Sequence, residues 1–222
     1  MFKATCLVPV VSVVLLGLVS AQKELEEEAD FQSGPVADSE VGKVMCYANS
    51  GPYSGREFDA VAEIGQGPGA LLFIHQLSRN TAPVIQEWNR LGEDHALLGY
   101  DWFSVILDDD RTNGEQMLKR VNGSLKMANP LVLSLDGLEG PGDFSLNRKA
   151  TLTLVLVKEG RVTRSIGLTD TGPADFPKLK NWIEEVAGKL PEDEAALRAL
   201  VEKQLPEDVE KPFPLFCISN EG

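Results

Sequence analysis

The chain of 222 residues holds little cysteine, little histidine and a deficit of basic residues. Three Cys and two His leave few soft or imidazole ligands for a transition metal, and none of them stand at metal-ligand spacing. No CxxC occurs, so the paired thiols of disulfide exchange are missing. Lys and Arg number 21 against 34 Asp and Glu, a net charge of −13. That balance argues against nucleic acid and anionic lipid surfaces, which need clustered positive charge. No internal repeat is visible. The first apolar run, Leu7 to Val19, is too short for a comfortable transmembrane helix and is interrupted by Pro9. What remains is ordinary: 43% hydrophobic and 25% charged residues describe a globular domain. The length allows one domain with additions, or at most two small ones.

Residues 1–21 read as a cleaved secretory signal. Lys3 supplies the positive start, Leu7 to Val19 the apolar core, and Val19-Ser20-Ala21 the small residues that a signal peptidase needs. An uncleaved anchor is the other reading. Cys6 precedes the apolar core, so no lipidation is expected. Export would take the chain to the periplasm or the medium, with membrane contact only during passage. The mature chain then keeps Cys46 and Cys217, which in an oxidising compartment can pair once. A loop of that size would contribute about 4 kcal/mol if the geometry permits. A structural disulfide is preferred to a reversible pair, since neither Cys has a neighbouring Cys or a clearly electropositive segment.

Residues 22–43 carry seven acids and two bases, which reads as a solvated acidic linker. The folded part is expected over 44–188. Lys43 to Ala48 and Arg56 to Ile64 look like strands separated by turn residues. Ala70 to Ile74 and Trp102 to Leu107 are continuous apolar runs, the pattern of buried parallel strands. Between them Val84, Ile85, Trp88 and Leu91 recur at helical spacing over Thr81 to Glu93. Asn113 to Val121 is a second helix and Pro130 to Ser134 a short strand. Thr151 to Val157 alternates, Glu159-Gly160 suits a tight turn, and Arg161 to Leu168 returns antiparallel. A helix follows from Ala174 to Ala187, stopped by Gly188. Residues 189–222 form an appendix: a helix ended by Pro206, then an apolar tail, Phe213 to Ile218, expected to dock.

The order strand, helix, strand, helix, hairpin, helix resembles the thioredoxin fold. Thr153-Leu154-Val155-Leu156-Val157-Lys158-Glu159-Gly160-Arg161-Val162 is similar to its closing hairpin. Pro130 to Gly137, followed by Gly142-Asp143-Phe144-Ser145-Leu146, resembles the extra strand and turn of the redoxin branch, which holds the peroxiredoxins and the alkyl-hydroperoxide-reductase type. Asp143 to Thr153 resembles exported bacterial redoxin-like proteins of unassigned activity. The likeness covers 44–188. It implies a three-layer α/β/α sandwich with a mixed central sheet, N-terminal strand additions and a C-terminal helix.

The same resemblance implies that the usual redox site is degenerate. An ungapped comparison on Ala82-Pro83 puts His75 and Ser78 where thioredoxins carry two cysteines. The peroxiredoxin position, Asn80-Thr81-Ala82-Pro83, has no Cys either. The cis-proline position falls near Leu152, with no Pro nearby. Disulfide exchange and peroxide reduction both need a thiolate. A Ser hydroxyl does not replace it without an aligned base.

The topology still makes a polar edge where strands end and helices begin. His75, Gln76, Ser78 and Arg79 are expected there, with Asp108-Asp109-Asp110 beside them and Arg148 approaching from the other side. His75 and Ser78 read as base and nucleophile, or as a strand-end residue and a turn residue. The Asp triplet reads as a hard-ion site or, since adjacent carboxylates point apart, as a solvated loop. Arg79 and Arg148 read as an anion clamp or as surface charge. No metal and no cofactor is expected. The leading expectation is a non-catalytic binding or structural module whose partner is a protein or a small anion. The alternative is a thiol-disulfide or peroxide oxidoreductase working through Cys46 or Cys217.

Overall fold

The computed structural model describes residues 31–204. Strands β1 (Met45–Ala48) and β2 (Arg56–Asp59) pair antiparallel, with Cys46 opposite Phe58. Helix α1 (Ala60–Ile64) follows at once. Then come β3 (Gly69–Ile74), α2 (Thr81–Ala96), β4 (Asp101–Ile106), α3 (Arg111–Leu125) and β5 (Val132–Ser134). The hairpin of β6 (Leu152–Lys158) and β7 (Arg161–Leu168) precedes α4 (Phe176–Ala187) and α5 (Glu194–Gln204). The strands form one mixed sheet in the order β2-β1-β5-β4-β3-β6-β7. β3, β4 and β5 run parallel, while β6 and β1 flank them antiparallel.

β3 is apolar throughout because both its faces are covered. Leu72 and Ile74 pack with Val84, Ile85 and Trp88 of α2, Leu118 of α3, and Leu179 and Ile183 of α4. Leu71 and Phe73 point the other way, into a second core with Cys46, Phe58, Ile64, Phe144 and Val162. The sheet is therefore the middle of three layers. One outer layer is α2, α3 and α4; the other is thinner, built on α1 and the turn that carries Phe144. At the hairpin, Glu159 and Gly160 both take positive φ, 55° and 71°, the conformation whose twist matches the two strands.

Two expectations give way. The strand expected over Arg56 to Ile64 stops at Asp59. The Asp59 carboxylate accepts the N–H of Val44 and of Val61, each at 3.1 Å, and this cap turns the chain into α1. The acidic linker expected over 22–43 is not a linker in its described part. Residues 31–43 form a strap along β7. The N–H of Asp38 donates to the Val162 carbonyl at 2.8 Å, that of Val162 to Ser39 at 2.9 Å, and that of Val41 to Gly160 at 3.1 Å. Ser165 Oγ donates to the Pro35 carbonyl at 2.7 Å. β7 is the outermost strand on its side, and its unpaired peptide groups need cover. Gly167 permits the approach: a Cβ there would stand 2.7 Å from Phe31 and 2.8 Å from Ser33. The signal segment over 1–21, the first part of the acidic stretch over 22–30 and the apolar tail with Cys217 lie outside the described residues.

Candidate functional site

His75 leaves β3 in the same alternation as Leu71 and Phe73, so its ring sits on the face away from α2. Its N–H and that of Gln76 both donate to the Thr151 carbonyl, at 3.1 and 3.2 Å. The ring Nε2 lies 3.0 Å from Thr153 Oγ1. Thr153 Oγ1 lies 2.6 Å from Ser33 Oγ, which accepts the N–H of Asn147 at 3.0 Å. Burial pushes the His75 pKa down and favours the neutral ring.

Ser78 belongs to a different set of bonds. Its Oγ accepts the N–H of Asn80 and of Thr81, both at 3.2 Å, and its carbonyl accepts that of Ala82 at 3.1 Å. In return, Thr81 Oγ1 accepts the Ser78 N–H at 2.7 Å. Pro83 has no N–H. The N–H groups of Asn80, Thr81 and Ala82, where α2 opens, are thus all taken by Ser78. No hydrogen bond joins Ser78 to His75 among the described residues.

Gln76 and Arg79 are exposed, and Arg79 has no ion-pair partner among the described residues. Arg148 is engaged elsewhere, in an ion pair with Glu139. The Asp triplet shapes the entry to α3. Asp108 accepts the N–H of Asp110 and the side-chain amide of Asn113, both at 2.9 Å. Asp110 caps the helix by accepting the N–H groups of Thr112 and Asn113, at 2.9 and 3.1 Å. Among the described residues no group of His, Cys, Asp or Glu is arranged to hold a metal ion.

Cys46 is fully buried and is a free thiol among the described residues. Burial first, then the Asp136 and Asp59 carboxylates, push its pKa well above the usual thiol range. It lies level with the end of β3, since it pairs with Ser134, the neighbour of Leu133, and Leu133 aligns through Ile106 with Ile74. Three strand spacings, about 14 Å, separate β1 from β3 in that row. A cavity of about 540 Å³ opens at the far end of the sheet, lined by Glu40, Asp59, Gln66, Glu159 and Arg161 among others.

Sequence reasoning found His75 and the helix start but missed Thr153, Ser33 and Asn147. The alternation of β6 already placed Thr153 beside Val155 on one face; no pattern marks Ser33.

No protein-family model matches the chain, and no curated protein matches it. Solved structures do. A candidate protein disulfide isomerase from Bacteroides thetaiotaomicron superposes with a TM-score of 0.54 at 14% identity, covering 72% of this chain and 96% of that one. A hypothetical protein from Sinorhizobium meliloti gives 0.54 at 11% identity, covering 70% and 88%. A thiol:disulfide interchange protein from Bacteroides sp. gives 0.50 at 10% identity, covering 71% and 94%. At such identities the likeness speaks for architecture, not activity. This chain has a thioredoxin-like fold.

Proposed function

We propose that the chain is an exported thioredoxin-fold protein without thiol chemistry, a binding or structural module built on a redox scaffold. The observation that carries this reading is the employment of the two residues at the redox positions. His75 is tied to Thr153, and Ser78 is the cap of α2. Cys46 supports it, because a buried thiol with a raised pKa supplies little thiolate. Export rests on the pattern of residues 1–21. With the first-turn donors of α2 already satisfied, a protein partner is favoured over a small anion.

The test uses the mature full chain in assays of insulin-disulfide reduction and hydroperoxide consumption with a dithiol reductant. The expected result is no turnover above background, unchanged in Cys46→Ala and Cys217→Ala. Turnover that disappears on either substitution would establish the oxidoreductase reading instead.

A further inference from the structure

Four groups stand in one file: the Asn147 N–H, the Ser33 hydroxyl, the Thr153 hydroxyl and His75 Nε2, separated by 3.0, 2.6 and 3.0 Å. Each hydroxyl has a single proton to give. Asn147 is necessarily a donor, so the file is satisfied in one direction. Ser33 donates to Thr153, and Thr153 donates to a bare Nε2. That direction requires a neutral ring with its proton on Nδ1. An imidazolium has N–H on both nitrogens. Nε2 then donates to Thr153, and Thr153 turns its own proton towards Ser33. Ser33 Oγ already accepts from Asn147, and its proton is left with no acceptor in the file. Ser33 is 3% exposed and Thr153 is 0% exposed, so water does not make good the loss.

We propose that His75 is a pH-sensitive latch for the strap: the neutral ring holds residues 31–41 against β6 and β7, and the imidazolium releases them. The ring is bonded to Thr153 of β6, with Ser33 of the strap beyond it. Neither of these is charged, and burial is the one resolved cause of the ring's lowered pKa. The cations close by in sequence, Arg79, Arg148 and Lys149, are exposed, and Arg148 is paired with Glu139.

The experiment is amide hydrogen exchange on the mature full chain from about pH 7.5 to 5, corrected for intrinsic rates. The reporters are the N–H groups of Asp38, Val41 and Val162, which bridge strap and hairpin. Their protection is expected to fall about tenfold as the ring charges, and to stay flat in His75→Gln. A second variant parts the ring from the strap: in Thr153→Ala, where no hydroxyl joins Nε2 to Ser33, the protection is also expected to stay flat across this range. Flat protection in the unmodified protein, an equal fall in His75→Gln, or an equal fall in Thr153→Ala would each overturn the latch.

Discussion

The side chain of Asn122 in α3 grips the backbone of Leu131 from both sides. Its Oδ1 accepts the Leu131 N–H at 2.9 Å and its Nδ2 donates to the Leu131 carbonyl at 3.0 Å. One carboxamide thus does the work of a neighbouring strand for a buried residue just before β5. The same Nδ2 reaches Asn49 Oδ1 at 3.1 Å, so the turn after β1 is tied in as well. Asn122→Ala leaves both Leu131 groups without these partners and is expected to lower stability by about 2 kcal/mol. Urea denaturation checks it; a midpoint within error of the parent chain would refute the strap-like role of this amide.

Ser78→Ala removes the acceptor for two N–H groups at the start of α2. The expected cost is about 1 kcal/mol of stability, the usual value of a lost N-cap. Ser78→Asp restores an acceptor and should recover most of it. A nucleophile would behave differently: aspartate would not rescue it.

Tyr53 and Tyr100 lose protons late. Burial and the 2.8 Å hydrogen bond to Glu63 push the Tyr53 phenol up from 10.0 to about 12. Burial alone drives Tyr100 well above the ordinary value. The folded chain therefore binds more protons than the unfolded chain above pH 10, and stability falls as pH rises through that range. An alkaline titration of phenolate absorbance should show delayed ionisation that vanishes in denaturant. Complete ionisation of the folded protein near pH 10 would contradict it.

The middle of the fold was legible because it is repetitive. Five apolar residues in a row from Ala70 to Ile74, the i, i+4, i+7 spacing of Val84, Trp88 and Leu91, and the alternation of β6 each have one simple physical solution. Ala60–Ile64 was not legible as a helix, since Val61 and Ile64 suit a strand and the decision belongs to the Asp59 cap. The strap was invisible for another reason. It is held by peptide-to-peptide bonds and a few side-chain bonds, those of Ser33 and Ser165 among them, and an acidic composition says nothing about either kind. At the site, the strand end and helix start could be placed, but the partner of His75 could not, because part of its bonded file comes from the strap.

Ser33 bonds Thr153 across 120 positions of chain. During synthesis the strap emerges early and waits for its seat until β6 and β7 have been made. Contacts of such long sequence separation close slowly, after local ones have formed. The strap and the hairpin it covers are thus among the parts of the domain furthest apart in the order of synthesis. Until the two meet, the outer margin of the newborn sheet lies open to any passing polypeptide.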